Sequence, residues 1–453
     1  SSRRRGEPSQ ETRGETITVD RAMLLVRQLI ERDRARYRAW MKEEFMDFRL
    51  TPEEEAFQKE FAAWLERNLP DEWDPSRYRL ESSWEEKARM HREFQKLLFQ
   101  AGYAGMNYPT AYGGQGKTLM EEVLVLETIA STCIELWLTG IITHGMAAPT
   151  ILIWGNEEQK REFLPKCLNG THIWCQGFSE PNAGSDVVNV STRAVKENGH
   201  YVVNGQKIWT SFANIADYCI LLVRTDTDSP KHKGLSYLLM DMKLPGVEVR
   251  PIRQITGEAD FNEVFLEDVR VPAEMLVGME GQGWKIAITT LMFERAVGDA
   301  VMASAFLRNV HNMREMAGNI KRSGKPVIQD PIFRQQLAQA FIEVMVLKHH
   351  GYRSLSQLLK GGVPGPEGSI GKLLWSETNQ KICEFAMEML GPYSQIMHGS
   401  PWAVQGGTWQ YLFLRSKGNT IEAGTSEIQR NIIGERVLNL PKDMSRASRQ
   451  DGR

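Results

Sequence analysis

The stretch WCQGFSEPNAGSDVV, from Trp174 to Val188, carries the strongest structural signal in this chain of 453 residues. It brings together small and hydroxyl-bearing residues, namely Gly177, Ser179, Ala183, Gly184 and Ser185. Glycine and alanine remove side-chain bulk, so the backbone can come close to a flat group. Serine hydroxyls and backbone N–H groups supply donors for ring oxygens and phosphates. The stretch therefore suits a binding loop for a flat, polyanionic molecule, although a Ser/Gly-rich turn of this kind, taken alone, is more often a plain loop.

Helical patterns lie on both sides of this loop. Apolar residues recur at helical spacing from about Thr51 to Pro165, including an apolar helix around Leu124 to Trp137. Thr51-Pro52 predicts an N-cap followed by the first helical residue. Past Gly283 the pattern is helical again, and helices are predicted over 284–318, 329–360, 369–390, 402–417 and 425–438.

Strand-like patterns surround the loop itself, from His172 to Pro272. Asn198-Gly199 and Asn204-Gly205 predict two hairpin turns, because both dipeptides favour positive φ. Short apolar runs bounded by turn residues predict the strands. These runs are YCILLV, LSYLLM, VEVRPI and NEVFLE.

Composition narrows the class of protein. Hydrophobic residues make up 42% and charged residues 25%, as in ordinary globular proteins. A net charge of -2 does not favour binding to nucleic acid or to an anionic membrane. No apolar run is long enough to span a bilayer. The five cysteines have neither metal-ligand spacing nor a disulfide pattern, so we expect reduced thiols and no metal site. These features predict a soluble cytoplasmic protein, or a mitochondrial-matrix protein in a eukaryote.

A second motif, NTIEAGTSEIQRNIIGERVL, runs from Asn419 to Leu438. Gly424, Thr425 and Ser426 come directly before a predicted helix, whose first N–H groups can bind phosphate or ribose. The simpler interpretation is an ordinary capped helix with its isoleucines facing inward.

With KIWTS, from Lys207 to Ser211, these motifs resemble the acyl-CoA dehydrogenase family, from about Met46 to Leu440. The resemblance implies a mostly α fold with a central β-barrel, placed between an N-terminal helical domain and a C-terminal four-helix bundle. The domains predicted in this way are an N-terminal extension over 1–45, helices over 46–170, the barrel over 171–283, the bundle over 284–440 and a polar tail over 441–453.

The resemblance also implies FAD as the cofactor and α,β-dehydrogenation of an acyl-CoA as the reaction. In that reaction a carboxylate removes the α proton while a hydride leaves the β carbon for the flavin. Taken alone, Trp209 would more often be a core aromatic residue, but the neighbouring motif reverses that preference. The predicted flavin contacts are Gln176, Phe178, Ser179, Ser185, Trp209, Ser211, Gly391 and Thr425.

The catalytic base is the most specific question that the sequence raises. Many family members carry a glutamate directly before the Gly-Thr pair, but this chain has Ala423 there. Glu294, in TTLMFERAVGDA, matches the position used by isovaleryl- and long-chain-type members. Glu422 is the alternative, although neighbouring residues on an extended loop point in different directions. A subunit without a base is the third possibility.

Substrate contacts follow from the same resemblance. The backbone N–H near Ala423 is expected to polarise the thioester carbonyl, a role that alanine fills as well as glutamate. The acyl group itself depends on packing near Met106, Trp137 and Met292 and is not readable from the sequence. The predicted contacts with the acyl-CoA are Ser185, Arg295, Ala423 and Gly424.

Two departures from the family pattern concern the assembly. The arginine that binds the FAD pyrophosphate of a neighbouring subunit corresponds to Arg322, to Arg334 or to neither. Glu388 stands where a glutamine is common, and a carboxylate near a diphosphate is repulsive. We therefore expect either a homotetramer or an α2β2 heterotetramer.

Electron-transfer flavoprotein is the expected electron acceptor. An acyl-CoA oxidase that uses oxygen, and a flavin-carrying subunit that is silent alone, remain as alternatives. A DNA-associated relative is disfavoured, because the balanced charge supplies no basic region.

Overall fold

The computed structural model describes residues 49–69, 81–138, 140–296, 298–360 and 365–441, and only the backbone of residues 293–296. The predicted extension over 1–45, and the predicted tail apart from its first residue, lie outside the described residues.

Seven helices form the first part of the described chain. They are α1 (Pro52–Asn68), α2 (Trp84–Gln100), α3 (Leu119–Thr132), α4 (Ile134–Trp137), α5 (Gly140–Ile142), α6 (Ala148–Trp154) and α7 (Glu157–Leu168). The Thr51 hydroxyl accepts from the Glu54 N–H at 3.2 Å, and the Thr51 N–H donates to the Glu54 carboxylate at 2.8 Å. The predicted start of the first helix is therefore confirmed. The apolar helix predicted to end at Trp137 is divided at Cys133, whose φ of -146° is not helical.

Strands from one large sheet make up the middle of the chain. They are β1 (Trp174–Gly177), β2 (Arg193–Glu197), β3 (His200–Ser211), β4 (Tyr218–Arg224), β5 (Leu235–Asp241), β6 (Val247–Ile252), β7 (Phe261–Pro272) and β8 (Leu276–Val277). The order is β6-β7-β3-β2-β4-β5-β8, and β1 pairs in parallel with β4. Since β6 and β8 end this path without pairing to each other, the predicted closed barrel is not confirmed.

One of the two predicted hairpins is wrong. Asn198-Gly199 does turn the chain between β2 and β3, with φ values of 48° and 76°. Asn204-Gly205 instead lies inside β3, where the register with β7 shifts by a bulge. The Asn204 side chain holds this bulge, because its amide oxygen accepts from the Asp268 N–H at 2.9 Å. A local turn signal was overridden by pairing with strands on both sides.

Long helices dominate the last part of the chain. They are α8 (Gly283–Ala296), α9 (Gly298–Asn319), α10 (Pro331–Leu359), α11 (Gly368–Leu390), α12 (Thr408–Ser416) and α13 (Ser426–Ile432), with the short strands β9 (Lys321–Arg322) and β10 (Lys325–Pro326) after α9. The helix predicted from 402 begins only at Thr408, because Gly406 and Gly407 adopt φ values of 65° and 85°.

A half-buried carboxylate joins all three parts of the chain. Glu258, in the connection between β6 and β7, accepts from the Lys87 ammonium of α2 at 2.6 Å. Its other oxygen accepts from the Tyr411 hydroxyl of α12 at 2.6 Å. Lys87 also lies over the Trp84 ring, 4.6 Å from its centroid. The first helices, the sheet and the last helices therefore meet at one side chain.

We predict that Gly205→Ala lowers the free energy of unfolding by about 1–3 kcal/mol, as expected for overpacking. A Cβ at Gly205 would lie 2.6 Å from the Thr192 hydroxyl and 2.7 Å from the Thr192 Cα. Gly318→Ala is the matched control, because no atom lies within 4 Å of its Cβ position in α9. That change should stabilise the helix by up to about 1 kcal/mol. Urea titrations of both variants measure the difference, and equal stabilities would contradict the packing argument.

Candidate active site

A buried ion pair fixes the loop that follows β1. The Lys207 ammonium, on β3, donates to the Glu180 carboxylate at 2.8 Å and to the Phe178 carbonyl at 3.2 Å. Glu180 also accepts from the Ser191 and Thr192 N–H groups at 2.6 and 2.8 Å. Burial alone would raise the pKa of Glu180, but Lys207 and these donors lower it to about 2. The loop backbone is thus attached to the sheet by an ionised pair.

The small residues of this loop serve two different purposes. A Cβ at Gly177 would lie 2.8 Å from Leu221 and 2.9 Å from the Cys219 sulfur, so glycine is required by packing inside the sheet. Gly184, by contrast, has no atom within 4 Å of its Cβ position, and Ser185 beside it is exposed. Only the far end of the loop faces open space. Ser179 is half-buried, and its carbonyl accepts from the Ile208 N–H at 2.9 Å.

Trp209 is presented outward by a strained backbone. Its φ is 59°, a left-handed value that few side chains adopt, and it lies in the second register shift between β3 and β7. Trp209 is 56% exposed, and its indole meets the Phe261 ring edge-on, with centroids 6.1 Å apart. Ser211, two residues on, is half-buried opposite Phe261 in β7. Gln176 is half-buried on β1, while Phe178 is buried against Tyr237.

The loop before α13 also holds a left-handed backbone. Ala423 has a φ of 53° and Gly424 a φ of 90°. The Gln429 amide donates to both of their carbonyls, at 2.8 and 3.3 Å. Thr425 caps α13, because its hydroxyl accepts from the Ile428 N–H at 3.3 Å. These bonds orient the carbonyls of the loop inward and hold its shape.

Glu422 is fully engaged by its neighbours. Its carboxylate accepts from Arg415 at 2.8 Å and from the Asn419 amide at 2.6 Å. Burial alone would raise the pKa of Glu422, but Arg415 and Asn419 lower it below its ordinary value. A carboxylate with a low pKa that is paired in this way is a weak proton acceptor.

Glu294 lies in the last turn of α8, where its side chain and that of Arg295 fall outside the described residues. One turn earlier, the Thr290 hydroxyl lies 3.1 Å from the Tyr237 hydroxyl of β5 and 2.9 Å from the Thr150 hydroxyl of α6. All three side chains are buried. This hydroxyl cluster anchors the end of α8 to the sheet and to the first helices.

A cleft of about 500 Å³ opens beside Thr425. Ser426 is buried in its wall, and the Ser426 hydroxyl has no hydrogen-bond partner among the described residues. The opposite wall comes from α11 and carries Gln380 and Lys381. The cleft therefore offers several polar groups to a ligand.

Arg322 and Gly391, which are far apart in sequence, adjoin each other. A Cβ at Gly391 would lie 3.4 Å from the Arg322 guanidinium, which donates to the Glu388 carbonyl. The Glu388 carboxylate accepts from the Gln336 amide of α10 at 3.5 Å. Of the two arginines considered from the sequence, Arg322 is the one beside Gly391.

Three domain descriptions of one family match the sequence. They are the acyl-CoA dehydrogenase N-terminal domain over residues 51–171, the middle domain over 175–269 and the C-terminal domain over 281–438. The chain belongs to the acyl-CoA dehydrogenase family. The predicted resemblance is confirmed, and the described fold is that of the family, mostly helical with a central sheet.

Individual acyl-CoA dehydrogenases are also similar to this chain. The acyl-CoA dehydrogenase IpdE1 of Mycolicibacterium smegmatis is 35% identical over 86% of this chain and 99% of the relative. Mitochondrial isovaleryl-CoA dehydrogenase of Pongo abelii is 28% identical over 76% of this chain and 80% of the relative. The crystal structure of the ChsE4-ChsE5 complex from Mycobacterium tuberculosis gives a TM-score of 0.77 at 31% identity, over 88% of this chain and all of that one. The predicted function, oxidation of an acyl-CoA by dehydrogenation, is confirmed.

Sequence reasoning missed several residues of this acyl-CoA dehydrogenase site. Lys207 and Glu180 both lie inside quoted motifs, yet a buried pair between them could be found only once β3 was known to pass under the loop. The Tyr237, Thr290 and Thr150 hydroxyls left no signal, because they come from three distant segments. In the part of the chain that the structure describes, no helix could cross a membrane and no His, Cys, Asp or Glu cluster could hold a metal.

We predict that Lys207→Met lowers the free energy of unfolding by about 3–5 kcal/mol, because it leaves Glu180 as a buried charge without its counter-ion. The matched control is Lys196→Met on β2, whose ion pair with Glu280 spans 3.8 Å at the surface. The control should change stability by no more than about 0.5 kcal/mol. Denaturant titrations give both values, and a small effect of Lys207→Met would show that the buried pair is not needed.

Proposed function

We propose that this acyl-CoA dehydrogenase binds FAD between Trp209, the Ser179–Ser185 loop and the Thr425 cleft. The exposed, left-handed Trp209 is the observation that carries the proposal. A large indole at 56% exposure fits a surface that a flat ring system covers. When bound, FAD accepts the hydride that leaves the β carbon of the substrate.

The remaining predicted contacts fit the same cofactor. Ser185 and Gly184 face open space, so a ring system can approach their backbone. Gln176, Ser179 and Ser211 are half-buried and retain polar atoms for the ring. Phe178 supports the loop from the core side. Thr425 and Ser426, at the start of α13, line the cleft that we assign to the phosphate or ribose end of FAD.

Glu294 is the proposed base. Ala423 has no proton acceptor, and Glu422 is held ionised by Arg415 and Asn419 with a lowered pKa. Glu294 ends a helix that is anchored by the buried Thr290 hydroxyl, which supplies a rigid support. Arg295 follows it on the same turn as a proposed substrate contact.

The thioester carbonyl is assigned to the loop before α13. Donation from Gln429 to the Ala423 and Gly424 carbonyls fixes the orientation of both peptide groups. A fixed peptide group can stabilise developing negative charge on the thioester oxygen without reorganisation. Ser185 is the further proposed contact with the acyl-CoA.

Partners follow from the same function. We propose electron-transfer flavoprotein as the acceptor and a cytoplasmic location, with an oxidase that uses oxygen as the alternative. Arg322 and Gly391 would reach the FAD pyrophosphate of a neighbouring subunit. Because Glu388 accepts from Gln336, its carboxylate can point away from that phosphate. The ChsE4-ChsE5 relative is a complex of two proteins, which supports considering an α2β2 assembly beside a homotetramer.

We predict that Glu294→Gln retains bound FAD but slows reduction of the flavin by acyl-CoA about 10²–10⁴-fold, since proton transfer to a positioned base contributes that much. Stopped-flow absorbance of the purified, yellow protein measures the rate. The matched control is Glu422→Gln, which should stay active. Equal rates for Glu294→Gln and the parent would refute the assignment.

The silent-subunit alternative has its own test. We expect the purified chain to bleach when acyl-CoA is added without any other protein. If it bleaches only after mixing with the product of a neighbouring gene, the chain is a flavin-carrying subunit that completes a partner's site. A protein that stays colourless with excess FAD would end the proposal.

A further inference from the structure

A small polar cavity lies among the first helices, away from the predicted site residues. Its volume is about 20 Å³, enough for one water-sized group. Most of its wall is apolar, including Leu98, Val125 and Ile129. Polar side-chain atoms are also present in that wall, on Gln95 of α2, Glu122 of α3, His144 of the turn before α6, Tyr103 and Trp137.

Two of these side chains lack a partner for a buried polar atom. The Gln95 side chain is 2% exposed and donates to the Leu168 carbonyl at 2.8 Å, but its oxygen has no hydrogen-bond partner among the described residues. The Nε2 atom of His144 is also buried without one. An unpaired buried polar atom costs about 1–3 kcal/mol. Two such atoms around a cavity of this size indicate a water-sized occupant that pairs with both, either a buried water or the hydroxyl oxygen of a ligand.

The chemistry of the wall selects a neutral group. Burial and the nearby His91 lower the pKa of His144 to about 3, so its ring is uncharged near neutrality. Burial raises the pKa of Glu122 to about 7, against the opposing N–H groups of Met106 and Asn107. Gln95 offers an acceptor. No lysine or arginine lines the cavity among the described residues, so a second carboxylate would meet Glu122 without a counter-ion. A hydroxyl, by contrast, can donate to the Gln95 oxygen and accept from neutral His144, whereas a keto oxygen can only accept and would leave Gln95 unpaired.

His144 also connects this cavity to the proposed active site. It lies in the π-helical turn Thr143–Ala147, which packs against both α8 and β1. The Thr143 hydroxyl accepts from the Trp174 N–H of β1 at 3.0 Å. Gly145, next to His144, is half-buried with no atom within 4 Å of its Cβ position, so there is space beside its backbone for a methyl-sized group. The His144 ring is stacked on Trp137, and the centroids are 5.8 Å apart.

We propose that this cavity receives a neutral hydrogen-bonding oxygen at the far end of the acyl group. The preferred substrate class is thus an acyl-CoA that carries a distal hydroxyl group, rather than a plain hydrocarbon, a ketone or a carboxylate. Gln95 and His144 are its specificity-determining residues. This inference rests on the proposed function, because it concerns the acyl part of the same substrate.

The test compares matched thioesters in a series of increasing chain length. At each length, the unsubstituted acyl-CoA, its ω-hydroxy form and its ω-carboxy form are offered to the purified enzyme. At the best length, kcat/KM for the ω-hydroxy form should exceed that of the unsubstituted form by about 5–100-fold, the range expected for satisfying buried polar atoms. Because the readout is a ratio, partial loss of folded enzyme cancels.

Variants locate the effect. His144→Leu should abolish the preference for the ω-hydroxy form, and His144→Gln should restore part of it. His172→Leu is the matched control: His172 is another histidine with an unpaired buried nitrogen, but it contacts Phe163 and Tyr218 and does not line the cavity. The control should leave the ratio unchanged. A parent enzyme without the preference, an unchanged ratio in His144→Leu, or a preference for the ω-carboxy form would overturn the inference.

Binding separates this inference from the proposed reaction. S-alkyl CoA thioethers have no carbonyl and are not oxidised, and their Kd values can be measured by calorimetry with and without an ω-hydroxyl. Tighter binding of the ω-hydroxy thioether, lost in His144→Leu, supports the cavity assignment even if no thioester reduces the flavin. Flavin reduction by plain acyl-CoAs without any hydroxyl effect would instead leave the reaction standing and remove the distal site.

Discussion

The buried ion pair between Lys207 and Glu180 is the contact on which the geometry of the site depends. It joins the loop after β1 to the strand that carries Trp209, so the two segments proposed to bind FAD are positioned relative to each other. The Ser191 and Thr192 N–H groups complete the coordination of the carboxylate. An isolated charge inside a sheet would be unfavourable, and this pair is tolerated because its oxygens are so fully bonded. The pair fixes the position of the loop from its inner side, so the outer residues of the loop stay available to a ligand.

Two of the left-handed residues in the described chain lie in the proposed site. Trp209 and Ala423 both adopt left-handed φ values, and each is restrained by neighbouring structure, a bulge in one case and the Gln429 amide in the other. Residues in such conformations persist only where the surroundings dictate them. In both segments that the family resemblance assigns to the cofactor and to the thioester, neighbouring structure therefore restrains a left-handed backbone.

Much of the fold followed from local patterns, because caps and apolar spacing act over few residues. Thr51 and Asn198-Gly199 behaved as their sequences predict. Asn204-Gly205 did not, since pairing on both sides of β3 outweighed its turn preference. Gly177 was read as space for a ligand, whereas contact with Leu221 and Cys219 explains it. The domain boundaries and the closure of the sheet into a barrel stay predictions.

The candidate site was readable in part. Motif residues came from the resemblance, and the chain supplies each of them, but their roles stay predictions because no bound molecule orients them. Neighbours from distant segments could not be predicted. Nothing in a single sequence places Gln95 and His144 around one cavity, or Arg322 beside Gly391. The role of Glu294 also stays a prediction. Its position along α8 is known, but its side chain lies outside the described residues.

The position of Glu258 has a consequence for how this protein melts. A carboxylate shared by Lys87 and Tyr411 makes the stability of each region conditional on the other two. If the last helices unfolded, one Glu258 oxygen would lose its hydrogen bond from Tyr411. If α2 unfolded, the Glu258 carboxylate would lose the Lys87 ammonium as its counter-ion. Loss of any one region therefore destabilises the other two, and we expect the three regions to unfold together on heating.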